Sequence, residues 1–301
     1  MSMGTPGGEK AAEGGGAPPA FERFGPECPA GGVLLSVPHA GRLYPASLLM
    51  RSRVPEGVLQ RLEDRHADRL IAGLVARGVP ALVARAPRAV IDLNRDPRDI
   101  DPRGVAGIPR NRPLIQSPKQ RGGLGLFPFS LPRVGDLWRG AIPWEEALER
   151  IETVHEPYHA ALERELAAMR LRHGEALLVD VHSMPPLPPG FAERRPDIVI
   201  GDRFGAGAAP RFAAAACAAA RARGYVASHN QPYAGSYVIE RHGRPVSDRH
   251  AVQIEISRDL YLDERLEEPG EGLERVRAVL VAMVEAMAAE GLGGSRALAA
   301  E

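Results

Sequence analysis

Four polar constellations in this chain stand directly after, or inside, short apolar runs: His39 in SVPHAG, Asn94 and Arg95 in IDLNRDP, His182 in VDVHS, and Glu255 in QIEISR. Imidazoles and carboxylates gathered where strands end can hold a catalytic metal, which takes three protein ligands and keeps one position open for water or substrate. His39 and His182 are the imidazole candidates. The third ligand is sought in EDRHADRL, which offers Glu63, Asp64, His66 and Asp68. Spacing does not choose among these four, and Asp64 is taken as the ligand. Asp64 and Asp68 are four residues apart, so on a helix they share a face, leaving Asp68 to orient a ligand. A single histidine is ordinarily a surface or satisfied core residue. Two of them, each following an apolar run, argue for the metal instead.

Asp180 precedes His182 by two, so on an extended segment both side chains leave on the same side and the carboxylate can hold the imidazole or line the site. Arg95 carries a planar fork suited to bidentate capture of a carboxylate, and Asn94 adds a donor, so the pair would anchor an acidic substrate. The competing reading pairs Arg95 with Asp92 or Asp96. Glu255 lies among apolar neighbours in AVQIEIS, which points to a carboxylate that is buried or aimed into a site, where it can serve as general base and then proton donor. A structural ion pair with Arg258 or Arg241 is its alternative. GSYVIERHG contributes Tyr237, Arg241 and His242; Arg241 is assigned to the developing oxyanion and Tyr237 to substrate binding.

Composition limits the partners. The 38 basic and 38 acidic residues balance, and no basic run interleaved with aromatics occurs, so nucleic acid is not expected. Two cysteines, Cys28 and Cys217, without CxxC spacing, exclude a disulfide framework and a thiolate metal site. The metal must then sit among His and carboxylate ligands, which suits zinc, one ion per chain. No segment approaches the roughly 18 uninterrupted apolar residues of a span, and the start lacks a basic-then-apolar leader, so the chain is expected in the cytoplasm and off the membrane. GxSxG is absent, which disfavours a serine hydrolase. Oligomeric state is left open.

The elements that must position these groups are legible in outline. Residues 1–20, rich in Gly, Ala and Pro, are expected to be a disordered leader, with a single catalytic domain over 21–301 and folding that begins near Val33. Strands are expected at 33–37, 81–86, 89–93, 176–183, 197–201, near 225–227 and at 251–257. Helices are expected over about 55–77, 143–173, 208–223 and 270–290. Residues 98–143, dense in Gly and Pro, form a connection long enough to be a lid. Strands alternating with helices give an α/β fold: a mostly parallel mixed sheet with helices on both faces and ligands at the carboxyl ends of its strands.

LLSVPHAGRLYP, DRHADRL, VIDLNRDP, HEPYHAALE, DVHSMP, DIVIGDRFG, NQPYAGSYVIERHG and HAVQIEISRDLYLDE follow one another over about residues 32–266. In that order they resemble the N-formylglutamate amidohydrolase family, a branch of the zinc carboxypeptidase and aspartoacylase-like hydrolases. The resemblance implies a zinc carboxypeptidase-like fold and a zinc-activated water that attacks the formyl carbon of N-formyl-L-glutamate, giving formate and glutamate in histidine breakdown. IDLNR and DVH are similar to the DLNR and DLH motifs of aspartoacylases. On that likeness Asn94 and Arg95 bind substrate, His39 and His182 hold zinc, and Glu255 is the general acid/base. Those relatives draw two ligands from HxxE, whereas His39 is followed by Ala40, Gly41 and Arg42, so the second ligand must come from elsewhere. Another zinc acyl-amino-acid hydrolase, a metallocarboxypeptidase with an open cleft, and a non-catalytic binder of acidic metabolites are the alternatives.

Overall fold

The structure, a computed structural model, describes residues 19–188 and 190–297, with side chains to residue 291. The leader expected over 1–20 lies, except for its last two residues, outside the described residues. Seven strands build the main sheet: β1 (Phe21–Phe24), β2 (Val33–Val37), β3 (Ala81–Ala84), β4 (Ala176–Met184), β5 (Ile198–Gly201), β6 (Ala227–His229) and β7 (Arg249–Ser257). Their order is β1-β3-β2-β4-β7-β5-β6. The four strands from β3 to β7 are parallel, β5 and β6 are parallel to each other but antiparallel to β7, and β1 closes one edge antiparallel to β3. This is the mostly parallel mixed sheet that the alternation of elements requires.

Side-chain alternation distributes the strands between two helical layers. Val33, Leu35, Val37, Val179, Val181, Val252 and Ile254 join one core with α2 (Pro210–Ala222) and α4 (Leu273–Ala297). Leu34, Leu82, Leu178 and Ala251 point the other way, onto α1 (Glu156–His173) and α3 (Tyr237–His242). Each fully buried Leu, Ile or Val contributes about 1.5–3 kcal/mol, so both faces are held independently of the site. Toward the carboxyl ends of β2, β4 and β7 the second face changes character: Ser36, Asp180, His182, Gln253 and Glu255 succeed the apolar residues. The site begins where that apolar series stops.

Several elements differ from expectation. Folding begins at β1, whose two phenylalanines and register against β3 make it an edge strand well before Val33. The helix expected over 55–77 is broken into short pieces, Glu56–Leu59, Gln60–Leu62, Ala67–Leu70 and Ala72–Val75. Between the second and third, the Asp64 N–H donates to the His39 carbonyl at 2.9 Å and His66 takes the left-handed conformation, φ 56°. Asp64 and Asp68 therefore do not share a helix face. AVIDL at 89–93 is a run of turns, because the Asp92 carboxylate accepts the Asn94 N–H at 2.8 Å and its own N–H donates to Leu126.

Residues 98–143 carry two small two-stranded ladders and pack Ile100, Val105, Leu126, Phe127 and Ile142 into a core of their own. The helix that follows runs from Trp144 to His173 with a π turn at Ile151–His155.

Gly41, in the turn after β2, shows how tightly His39 is seated. A Cβ there would lie 2.1 Å from the Ala86 carbonyl oxygen. Gly41→Ala is expected to lower the urea-unfolding free energy by about 1–3 kcal/mol, the usual range for overpacking. A variant melting like its parent would show the turn to be pliable.

Candidate active site

His39, Asp64 and His182 are each buried, and one ligand atom from each lies within 4.8 Å of the others. His39 follows β2 by two residues, His182 sits on β4, and Asp64 stands at the break in the 56–75 segment. The two Nδ1 atoms converge on one carboxylate oxygen: His182 Nδ1 is 2.8 Å and His39 Nδ1 3.3 Å from Asp64 Oδ2. Each Nε2 is held by a second carboxylate, His39 by Asp92 Oδ1 and His182 by Asp180 Oδ2, both at 2.7 Å. An imidazole donating Nε2–H to a carboxylate presents a lone pair at Nδ1. His182 Nδ1, His39 Nδ1 and the Asp64 oxygen face one another in a group that could hold a metal ion. His39 Nδ1 is buried without a hydrogen-bond partner.

The surrounding groups settle the charges. Burial works against the Asp64 carboxylate, but the hydrogen bond from His182 and the nearby His39 imidazole outweigh it and hold the group well below the usual carboxylate range. Burial also opposes charge on His182, yet Asp180 and Asp64 hold that imidazole well above its ordinary value. Asp64 Oδ1 meets Arg258 Nη2 at 3.2 Å and Ser183 Oγ at 3.4 Å, Asp92 Oδ2 takes Arg88 Nε at 2.8 Å, and Asp180 Oδ1 accepts from Ser36 Oγ at 2.6 Å.

Glu255 lies on β7 directly opposite His182 in the parallel register. Gln253 Nε2 donates to Glu255 Oε1 at 2.9 Å, and neither Arg258 nor Arg241 pairs with it. Burial raises its pKa, with His182 opposing. Asn94 is fixed by the Val238 N–H on its Oδ1 at 2.9 Å, which turns Nδ2 toward Gln253 Oε1 at 3.4 Å. Arg95 donates Nε to Leu124 O, and Nη1 to Asn94 O and Ser236 Oγ. Only Nη2 is without a hydrogen-bond partner among the described residues, so Arg95 offers one edge rather than its full fork.

These groups open on a cleft of about 1070 Å³ whose lining includes His39, Arg88, Arg95, Lys119, Tyr237 and Glu255. Two residues picked from sequence sit otherwise. Arg241 is one helical turn from Tyr237, donates to its hydroxyl at 2.7 Å and is absent from that lining. Asp68 makes a two-pronged pair with Arg42, at 2.9 Å on each arm, and has no hydrogen bond to the His–Asp–His group. Arg88, Gln253 and Ser36 went unnoticed in the sequence, and Asp92 was weighed only as a partner for Arg95. Alternation along β2 and β7 against the apolar residues beside them marks Ser36 and Gln253; Asp92 has no such mark, since its segment is irregular.

Comparison with known proteins places the chain. It is 33% identical over 268 residues to N-formylglutamate deformylase of Pseudomonas aeruginosa, covering 86% of this chain and 93% of that one. With the enzyme of the same name from Pseudomonas putida it shares 30% over 243 residues, covering 77% and 82%. The crystal structure of N-formylglutamate amidohydrolase from Ralstonia eutropha JMP134 superimposes with a TM-score of 0.81 at 31% identity, covering 89% of this chain and 97% of that one. An Agrobacterium tumefaciens gene product at 20% identity and a TM-score of 0.61 shares the fold, over 90% of this chain and 95% of its own. The relatives and the fold define the class, a hydrolase acting on an amide bond. Within that class the chain belongs to the N-formylglutamate amidohydrolase family, whose model matches residues 31–262. No helix among the described residues is long and apolar enough to cross a membrane.

Two histidines beneath the cleft give a pH dependence with a definite sign. Burial holds His155 and His242 at about 4, against 6.5 for a free imidazole. Between those values the unfolded chain binds more protons than the folded one, so their contribution is intact above pH 6.5 and is lost as the pH falls toward 4. Urea midpoints of metal-free protein from pH 7.5 to 4.5 should decline, and decline less steeply in His155→Gln. Parallel declines in the two proteins would refute the assignment.

Proposed function

We propose that this enzyme hydrolyses the amide of N-formyl-L-glutamate to formate and L-glutamate, using one zinc ion held by His39, Asp64 and His182. The observation that carries the proposal is the convergence of these three ligand atoms within 4.8 Å, with Glu255 in register beside His182. Once His182 yields its extra proton on binding the ion, two imidazole nitrogens and one carboxylate oxygen are a catalytic zinc donor set, and the orphaned His39 Nδ1 fits it. When bound, zinc supplies Lewis acidity and lowers the pKa of a coordinated water toward neutrality.

The chain's own groups do the rest. Glu255, more basic than an ordinary carboxylate because of its burial, takes the proton of the attacking water and returns it to the leaving nitrogen. Gln253 fixes one of its oxygens and leaves the other for the reaction. Arg88 lines the cleft with His39 and Glu255 and replaces Arg241 as the guanidinium facing the developing oxyanion. Arg95 Nη2, Tyr237 and Lys119 supply donors for the carboxylates of a small anionic acyl amino acid, while Asn94 orients Gln253. On this reading the reaction belongs to histidine breakdown in the cytoplasm. The size of the cleft, about 1070 Å³ against roughly 300–1,000 Å³ for pockets that bury drug-sized ligands, favours one second reading: an acidic amino acid carrying a bulkier acyl group.

About one zinc per purified chain is expected, with formate release from N-formyl-L-glutamate that stops on chelation and returns with zinc. Zinc without release, together with turnover of N-acetyl-L-glutamate, would select the second reading. Glu255→Gln should keep the metal and lose turnover, and His182→Ala should lose both. Asp92→Asn should weaken metal affinity about 10–100-fold in chelator competition, the usual effect of removing an outer hydrogen-bond partner.

A further inference from the structure

The HEPYH segment has no part in the chemistry above, yet it places two buried imidazoles under the substrate loop. His155 Nε2 lies 2.9 Å from the Arg95 carbonyl and His159 Nε2 lies 2.9 Å from the Leu93 carbonyl. A carbonyl only accepts, so both rings carry their proton on Nε2. His159 Nδ1 is then an acceptor, and it receives the Nε2–H of His242 at 2.9 Å. His242 Nδ1 faces Glu163 at 3.5 Å, a carboxylate that also pairs with Arg249. His155 packs its ring 4.5 Å from that of His159 and 5.6 Å from that of Tyr237.

The π turn at Ile151–His155 explains how one helix reaches both carbonyls. One inserted residue rotates the preceding turn by about 100° relative to an unbroken α-helix, and such insertions accumulate at functional sites. Three histidines could have been filled more cheaply by apolar residues if this layer were only core, because each brings buried polar atoms that need partners.

We propose that His155 and His159 are positioning residues for substrate capture, clamping the carbonyls of Leu93 and Arg95 and thereby setting Asn94 and Arg95 toward the cleft. The inference rests on the reading of Asn94 and Arg95 as groups of the substrate site. Through Asn94 the clamp reaches Gln253 and Glu255, and through the His155 ring it supports Tyr237. His242 fixes the tautomer of His159.

The test uses the full-length zinc-loaded enzyme and two substitutions at one position. His155→Gln keeps an N–H near the place of Nε2; His155→Leu removes it. His155→Leu is expected to raise KM for N-formyl-L-glutamate about tenfold, the scale of one lost buried hydrogen bond, with a smaller change in kcat and unchanged zinc content. His155→Gln should recover most of the KM. An unchanged KM in His155→Leu, or a leucine variant that only melts earlier, overturns the clamp.

A second readout needs no turnover. Long-range proton–nitrogen spectra near neutral pH should show His155 and His159 neutral and protonated at Nε2, and the Asn94 side-chain amide should shift in His155→Leu. A charged ring, a proton on Nδ1 or an unmoved amide overturns the inference. If the parent enzyme proved inert toward N-formyl-L-glutamate, the substrate reading would fall and these spectra would still decide the clamp.

Discussion

Everything at the carboxyl edge of this sheet answers to one constraint: Asp64, Asp92, Asp180, His39 and His182 are removed from water within hydrogen-bond reach of one another. Burying an ion costs several kcal/mol even after relaxation, and the cost is tolerable only where every lone pair and proton is matched. The outer oxygens are matched in this way, Asp64 by Arg258 and Ser183, Asp92 by Arg88, Asp180 by Ser36. The inner atoms are matched only in part: His182 Nδ1 meets Asp64 Oδ2 at 2.8 Å, while His39 Nδ1 is left without a hydrogen-bond partner. The three ligand atoms converge within 4.8 Å, and the cluster could hold a metal ion.

The stretch from Asp92 to Arg95 distributes that constraint through the molecule. Asp92 holds His39, Asn94 orients the Gln253 amide behind Glu255, and Arg95 faces the cleft. Asp92, Asn94 and Arg95 carry three different duties within four residues, and the stretch is not a strand. Its backbone polar groups must then find partners outside any ladder. They find them in the Asp92 carboxylate, in Leu126 and in the imidazoles of the π-interrupted helix. Irregular backbone here follows from the contacts its side chains make, and the histidines beneath it follow from the irregular backbone.

How far this could be read from the residues depends on whether a local rule governs the element. The β2, β4 and β7 runs are apolar on both faces or alternate, so their places, and those of His39, His182 and Glu255 at their ends, were legible. Composition and element order were sufficient for the sheet class. The 55–77 segment misled because Val58, Leu62, Leu70, Ile71 and Leu74 keep helical spacing across a break that only the tertiary bond from Asp64 to His39 creates. AVIDL misled because its β-branched residues pack, Ile91 fully and Val90 in part, in a segment without strand pairing. Arg241 and Tyr237 lie four apart on a short helix, a spacing that predicts mutual pairing, and the structure has Arg241 donating to the Tyr237 hydroxyl. Register across the sheet, which brings Glu255 beside His182, cannot be read from one strand alone.

The break at residues 63–66 also accounts for the missing glutamate after His39. In an HxxE arrangement two ligands leave one turn, so their relative position is set locally. Here Asp64 arrives from a later segment, yet it is tied to the same turn by the bond from its N–H to the His39 carbonyl, and Arg258 donates to both the Glu63 carbonyl and the Asp64 carboxylate. Aspartate, shorter than glutamate by one methylene, suits a backbone brought this close. The left-handed His66 that ends the detour, φ 56°, carries a strain of about 1–2 kcal/mol for a residue with a Cβ. The single proline between β2 and His39, the Gly41 turn against Ala86 and the broken helix thus form one device. It brings Asp64 to His39 by tertiary contact, a pairing that a local motif would otherwise provide.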